Sequence, residues 1–437
     1  MTDLPSTSTD PYEVPSGRRV RGRLRVPSSK SVTHRYVNLA LLSQAPVVIE
    51  RPLFAEDTRL FLAALGRCGF RVEEDEDEVR LTPEAPPAGE VEIFCGNAGT
   101  MLRFLVASLA ALPGQWILDG VTRLRERPVG PLVDALRELG ARIAYLGAEG
   151  FVPLAIQGGT LQGGTATLYA GESSQYLSAL LMAALRASGE VTIEVGALTS
   201  RPYVDVTLAA AVAFDGHIER VAPRIYRVRP SAIRAGRVRV EGDYSAACYP
   251  AAAAALSGGW VTLEGLTADS RQGDRGFMDL LAEMGAEVAW RGGNLVVRGG
   301  ELRGVKADLS GMPDQVPTLA ALAPFARGET LIYNVGHLRI KESDRLEAMA
   351  TELRKLGAEV SEGRDSLRIP GIWSEAEPSA EPVEIDPHGD HRIAMSLAVT
   401  GLRRPGVLVT SPGVVSKSYP EFWRDFESIL DEVPSPG

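Results

Sequence analysis

The sequence predicts an α/β fold of two globular halves, built from one unit that recurs six times. Two periodic patterns carry this reading, and the composition supplies the core it needs. In the first pattern an amphipathic helix ends in glycine and is followed by two short β-rich runs. Copies are LAALGRCGFRVEEDEDEVRLTP, ALRELGARIAYLGAEGFVPLAIQG, AAVAFDGHIERVAPRIYRVRP, LLAEMGAEVAWRGGNLVVRG and ELRKLGAEVSEGRDSLRIPG. Their terminal glycines, Gly69, Gly140, Gly216, Gly285 and Gly357, are spaced by 71, 76, 69 and 72 residues. Glycine is expected there because a helix commonly ends in a left-handed residue. The acidic run Glu73 to Glu78 falls between the two β-runs of the first copy and reads as a solvated turn.

The second pattern is a small polar cluster followed by an Ala/Leu-rich helix. It appears as SSKSVTHRYVNLALL, GNAGTMLRFLVASLAAL, GESSQYLSALLMAAL, GDYSAACYPAAAAAL, GMPDQVPTLAALAPFA and GDHRIAMSLAVTGL. With Ser31, Asn97, Ser173, Ser245, Asp314 and Asp390 as markers, the spacings are 66, 76, 72, 69 and 76. Ser, Asn and Asp cap helix N-termini. The helices behind them are apolar nearly all round and should be buried, with the sheets facing solvent. A period near 70 residues is too long for a thin solenoid, which leaves two globular halves.

The 437 residues are 45% hydrophobic and 23% charged, enough apolar material for a folded core. Lys and Arg number 46 against 56 Asp and Glu, a formal charge of −10. That balance argues against nucleic-acid partners, which require a basic stripe, but permits a locally basic cleft for small anions. Cys68, Cys95 and Cys248 are odd in number and far apart, so neither a disulfide framework nor a zinc pair is indicated, and a reducing cytoplasm fits. No apolar run reaches membrane-spanning length. Residues 1–17 are rich in Pro, Ser, Thr and acids, lack a signal-peptide pattern, and read as a disordered tail.

Cations recur where propensity would place carboxylates. Lys30, Arg35, Arg103 and Arg392 sit at or near the starts of the Ala-rich helices. Arg127, Arg201, Lys341, Arg345 and Lys417 sit near the other helix class. A positive side chain at a helix N-terminus is unfavourable by up to about 1 kcal/mol, so repetition points to a bound anion. Exposed backbone N–H groups at the same ends would add to that site. Lys341 and Arg345, four apart, would share a helix face, with Glu342 between them and ionised by their proximity. Asp314 is a second isolated carboxylate at a cap. The Ser28-Ser29-Lys30-Ser31 stretch lacks the glycines of a P-loop, and no Gly-x-Ser-x-Gly elbow occurs. His388 and His391 have no further metal ligand at a standard spacing, so no metal is expected.

Taken together these motifs resemble the 5-enolpyruvylshikimate-3-phosphate synthase family, from about Gly17 to Ile429. The residues that carry the resemblance are Ser29-Lys30-Ser31-Val32, Gly96-Asn97-Ala98-Gly99-Thr100, Glu126-Arg127-Pro128, Ser173-Ser174-Gln175, Ser200-Arg201-Pro202-Tyr203, Pro313-Asp314, Lys341-Glu342-Ser343-Asp344-Arg345, Asp390-His391-Arg392 and Lys417-Ser418-Tyr419-Pro420. The resemblance implies a two-domain inside-out α/β barrel, the enolpyruvyl transferase fold, with three βαβαββ repeats per domain. One domain would comprise 18–28 and 241–437, the other 29–240. It implies transfer of the enolpyruvyl group of phosphoenolpyruvate to the 5-hydroxyl of shikimate 3-phosphate, through a tetrahedral intermediate, with no metal or organic cofactor. It also implies a cytoplasmic enzyme of aromatic amino-acid biosynthesis, inhibited by glyphosate, without nucleic-acid or membrane partners, and a monomer.

Carried over residue by residue, the resemblance assigns shikimate 3-phosphate to Ser173, Ser174, Ser200, Tyr203 and Lys30, with Ser31 and Arg35 on its carboxylate side. Phosphoenolpyruvate falls to Arg127, Arg345, Arg392 and Lys417, helped by Gln175 and the backbone from Asn97 to Gly99. Asp314 would take the 5-hydroxyl proton, Glu342 would exchange the proton at the vinyl carbon, and Lys30 would assist phosphate departure. The substrates bring roughly six negative charges. Lys30, Arg35, Arg127, Lys341, Arg345, Arg392 and Lys417 can answer them with seven positive ones. His337 stands where many members carry Asn, and would add pH sensitivity near an ordinary imidazole pKa. Phe104 replaces a frequent Pro and bears on the fine position of the helix at Gly99. UDP-N-acetylglucosamine enolpyruvyl transferase is the nearest alternative. It calls for Lys-Asn at the first cap and a cysteine before Arg-Pro, and neither is present. A non-catalytic anion-binding protein on the same fold would need a lost acid, base or cation, and none is lost.

Overall fold

The structure is a computed structural model that describes residues 10–43, 45–374 and 376–431. The chain divides into two compact units, one of residues up to Pro27 together with Gly242 onward, the other Ser28–Glu241. Each has its own hydrophobic core. The crossing points are held within each unit by backbone bonds. Ser29 N donates to Glu241 O (2.8 Å), and Asp243 N donates to Pro27 O (2.8 Å).

The βαβαββ unit is seen plainly in the stretch from Glu90 to Gly158. Strand Glu90–Phe94 leads through helix Gly99–Ala110 to a parallel partner, Gly114–Asp119. Helix Gly130–Glu138 follows, then the antiparallel hairpin of Arg142–Tyr145 and Leu154–Gly158, whose second strand pairs with Gly114–Asp119. Such sheets recur six times among the described residues, five with four strands and one with three. At the crossings distant segments complete them. Arg237–Arg239 lies parallel to Val47–Glu50, and Arg21–Arg25 lies parallel to Trp260–Glu264. Arg237–Arg239 and Arg21–Arg25 each form an edge of their sheet.

Three helices form the centre of each unit. In Ser28–Glu241 they are Lys30–Leu42, Gly99–Ala110 and Ser174–Ala184. In the other unit they are Tyr244–Ser257, Val316–Leu322 and His391–Gly401. Tyr244–Ser257 is buried at every residue. Its run of alanines lets neighbouring helix backbones approach closely without a bulky side chain between them. Among the described residues no helix is long and apolar enough to cross a membrane.

The structure corrects three readings of the sequence. The expected tail at 1–17 lies partly outside the described residues, but its later part is ordered. Tyr12–Glu13 pairs antiparallel with Val407–Val409. The Tyr12 ring packs 4.1 Å from Trp423, and its hydroxyl donates to Glu427 (2.6 Å). This two-residue strand stands where other sheets place a hairpin, so two apolar side chains, Tyr12 and Val14, outweigh the polar composition around them. Gly69, Gly140, Gly285 and Gly357 are left-handed as expected, but in the third copy Asp215 takes that conformation instead. Gly216 there serves close packing, since an added Cβ would lie 3.0 Å from Ala211 O and from Leu185. Finally, caps fall two residues before the markers at Ser29 rather than Ser31 and at Asp243 rather than Ser245. The helix marked by Asn97 begins at Gly99 without a side-chain cap. Ser173 and Asp390 cap as expected.

If the first strand contributes to the core in this way, Tyr12→Ala removes a buried ring and its hydroxyl bond. The expected loss is about 2–3 kcal/mol of unfolding free energy, read from urea denaturation. An unchanged midpoint would contradict the packing of Tyr12 on Trp423.

Candidate active site

Most of the site residues expected from the sequence lie at or beside the N-terminal ends of the central helices, some in each unit. In Ser28–Glu241, side chains across the helix starts show that these ends coincide. Arg35, in the second turn of its helix, donates to the hydroxyls of Thr207 (2.7 Å) and Ser178 (3.4 Å) and to the carbonyls of Tyr203 (2.7 Å) and Ser31 (2.8 Å). Its guanidinium also lies 5.5 Å from the buried Phe104 ring. Burial among neutral acceptors pushes its pKa down to about 10, which still leaves it charged. Arg35 therefore ties Ser31, Tyr203 and two helices into one end, chiefly as a scaffold.

Lys30 opens its helix directly after the Ser29 cap, and its Nζ lies 3.1 Å from Asp57. Asp57 is itself buried, in the first turn of helix Glu56–Arg67. Arg127 is buried and donates to Asn97 O (3.4 Å). Its guanidinium covers Gly99 so closely that a Cβ there would fall 2.7 Å from the Arg127 Cζ. Gln175 is fixed at both ends of its amide. Arg103 donates to its oxygen (2.6 Å), and its nitrogen donates to Thr100 (2.8 Å). Ser173 caps its helix and Ser174 opens it, both buried. Ser200 is buried with φ +52°, a conformation uncommon outside glycine, immediately before helix Pro202–Val212.

The other unit is richer in carboxylates. Arg345 is almost wholly buried and bonds three acids: Asp390 (2.7 Å), Asp314 (2.8 Å) and Glu342 (2.9 Å). Asp314 also accepts from Arg392 (2.6 Å), which bonds the Tyr249 hydroxyl as well (3.2 Å). Asp314 sits in the short turn Pro313–Gln315 ahead of its helix and does not cap it, contrary to the simplest reading of its position. Burial alone would raise the Asp314 pKa, but Arg392, Arg345 and Lys341 outweigh it and hold the carboxyl well below the usual range. For Arg345 burial works downward, while Asp390, Glu342 and Asp314 raise it further, so it stays charged. Lys417 is buried in the turn Pro412–Lys417.

Two expectations change. Lys341 and Arg345 do not share a helix face. Lys341 ends the turn Gly336–Ile340, and the helix starts only at Arg345, capped by Asp344. Capping by Asp344, whose side chain accepts from Leu346 N and Glu347 N, fixes the start after Glu342. His337 does not titrate near an ordinary imidazole value. Burial, then Lys341, push it down to about 4. Three neighbours of the site fall outside the residues given a role from the sequence: Asp57 is not singled out there, Arg103 counts only among the cations at helix starts, and Asp390 serves as a cap marker and motif residue. Only the fold reveals that they orient Lys30, Gln175 and Arg345. Among the described residues no cluster of three or more metal-ligating side chains occurs.

Comparison with known proteins matches residues 14–426 to the family model for EPSP synthase (3-phosphoshikimate 1-carboxyvinyltransferase). The chain belongs to the EPSP synthase family. It is a transferase of the shikimate pathway. A 3-phosphoshikimate 1-carboxyvinyltransferase of Syntrophobacter fumaroxidans is 45% identical over 416 residues, covering 94% of this chain and 97% of that protein. A second, from Ralstonia pickettii, is 42% identical over 429 residues, covering 94% and 98%. The solved EPSP synthase of Acinetobacter baumannii superposes with a TM-score of 0.79 at 26% identity, covering 97% of this chain and all of that one. The fold is thus that of an EPSP synthase, and the alternative reading as a UDP-N-acetylglucosamine enolpyruvyl transferase is not favoured.

The low pKa of His337 fixes a sign. The unfolded imidazole takes a proton below about pH 6.5, whereas the folded one resists until about pH 4. Its contribution to stability is therefore intact above pH 6.5 and erodes as pH falls to 4. Urea midpoints measured from pH 7.5 to 4.5 should fall more steeply in the parent chain than in its His337→Asn variant. Parallel slopes would mean that His337 is solvated.

Proposed function

We propose that this chain transfers the carboxyvinyl group of phosphoenolpyruvate to the 5-hydroxyl of shikimate 3-phosphate, releasing phosphate. The observation that carries this reading is the Asp314 carboxylate between Arg345 and Arg392, in a chain that matches the family along its length. The 5-oxygen adds to C2 of phosphoenolpyruvate while C3 gains a proton. The C2–O bond to phosphate then breaks and C3 loses a proton, restoring the vinyl group. One base and one acid must therefore serve at different moments.

Asp314 receives the 5-hydroxyl proton and Glu342 exchanges the proton at C3. Arg392 and Arg345 stabilise the Asp314 anion and make it a weak base. Substrate carboxylate and phosphate compete for those guanidiniums. A unit charge pair at about 4 Å contributes roughly 4 kcal/mol at an effective dielectric of 20, so drawing the cations toward substrate raises the basicity of Asp314. Lys417 is assigned to phosphoenolpyruvate, as are Arg127, Gln175 and the Asn97–Gly99 backbone, and Lys341 adds a further cation near Asp314. Ser173, Ser174, Ser200 and Tyr203 hold shikimate 3-phosphate, Ser31 and Arg35 serve its carboxylate, and His337 donates a neutral hydrogen bond near its phosphate. Lys30, released from Asp57, assists phosphate departure. No metal or organic cofactor is used. The enzyme acts as a cytoplasmic monomer and is inhibited by glyphosate.

The decisive assay is phosphate release that requires both substrates and persists in a metal chelator. Asp314→Ala and Glu342→Ala should remain folded, at lower stability because buried arginines lose a partner, and slow turnover on the order of a hundredfold or more. Near-parental rates in both would remove the acid–base assignment. Glyphosate should inhibit competitively with phosphoenolpyruvate, and indifference to millimolar glyphosate would contradict the phosphoenolpyruvate site. Gly99→Ala presses a methyl group on Arg127. It should raise KM for phosphoenolpyruvate by about tenfold, or about 1.4 kcal/mol, with kcat changed far less.

A further inference from the structure

A second buried carboxyl lies behind Asp314. Asp274 is 1% exposed, in the turn Gly273–Arg275 that leads into helix Gly276–Met284. Its Oδ1 accepts from the Gln315 amide nitrogen (2.8 Å). The Gln315 amide oxygen accepts from the Thr318 hydroxyl (3.2 Å), and Thr318 lies 3.4 Å from the Ser396 hydroxyl on the Arg392 helix. Gln315 is 0% exposed and follows Asp314 in the chain. Its amide is thus clamped at both ends, which fixes the turn carrying Asp314 and links it to the helix carrying Arg392.

We infer that Asp274 is a positioning residue for the transfer reaction, holding Asp314 through Gln315 and setting its basicity by charge. This inference rests on the role of Asp314 given above. The groups that face Asp274 are Asp314 from the Pro313 turn, Arg392 from its helix, and Asp243 and Cys248 from the Tyr244 helix. Burial, then the Asp314 charge, push the Asp274 carboxyl up to about 6, with Arg392 opposing. Ionised, Asp274 shares the field of Arg392 and repels the Asp314 anion, which favours proton uptake by Asp314. Protonated, it leaves Arg392 to Asp314 alone and weakens the base. Turnover should therefore depend on the Asp274 charge, although Asp274 touches no substrate.

The test compares Asp274→Asn, which keeps an acceptor for Gln315 but removes the charge, with Gln315→Leu, which keeps the charge but cuts the link. Steady-state kinetics with both substrates are measured from pH 5 to 9. Each variant should lower kcat by about tenfold, with KM for either substrate within about threefold of the parent. Asp274→Asn should also move the acidic limb of the kcat profile down by about one pH unit, a shift that a purely structural defect would not produce. Parental kcat and an unmoved limb in Asp274→Asn would overturn the inference. So would a loss explained by the folded fraction alone, and if that variant fails to fold, a parental kcat in Gln315→Leu overturns it. Asp314→Asn is the control. If it is inactive while Asp274→Asn is parental, only this inference fails; if it is itself parental, the base role of Asp314 fails and takes the inference with it.

Discussion

A cation at the positive end of a buried helix must be neutralised. The helix dipole opposes it, burial opposes it, and neighbouring cations oppose it further. The chain nevertheless places Lys30, Arg392 and Arg345 at helix starts. The protein supplies anions of its own: Asp57 for Lys30, Asp314 for Arg392, and Asp390, Asp314 and Glu342 for Arg345. These internal pairs offset the charge of the buried cations.

The two units answer this constraint with different chemistry. Ser28–Glu241 satisfies Arg35 with hydroxyls and carbonyls, and Arg103 with Gln175 and Pro128 O, while Lys30 has the Asp57 carboxylate. The other unit uses carboxylates, several close enough to shift one another. Removing one partner of a buried ion pair costs about 3–5 kcal/mol, so the carboxylate set is stable only while its partners remain in register. Asp390 keeps that register, since one side chain both caps the Arg392 helix and holds Arg345.

Much of this was legible because it follows from local rules repeated along the chain. Glycines at helix ends, small polar residues at helix starts and Ala-rich segments between them announce the repeat and its buried helices. Repeated cations at the starts announce an anion site. Less legible were features set by partners far away in sequence. Tyr12 sits among Pro, Ser and Thr, and only Trp423 explains its order. Lys341 and Arg345 have helical spacing, but the Asp344 cap begins the helix between them. His337 looks like a histidine of ordinary pKa until Lys341 and burial are taken into account.

By itself the sequence determined the unit, its six-fold repetition, the family and the chemistry-bearing residue types. Periodicity and capping are properties of short segments, and the motif order is a property of the chain. Tertiary structure alone decided which carboxylate meets which cation. Asp314 and Arg392 are far apart in the chain yet 2.6 Å apart in space, as Lys30 and Asp57 are 3.1 Å apart. The short distance to Arg392 helps hold the Asp314 carboxyl ionised. Coulomb interaction depends on separation and burial, and neither can be counted along a sequence.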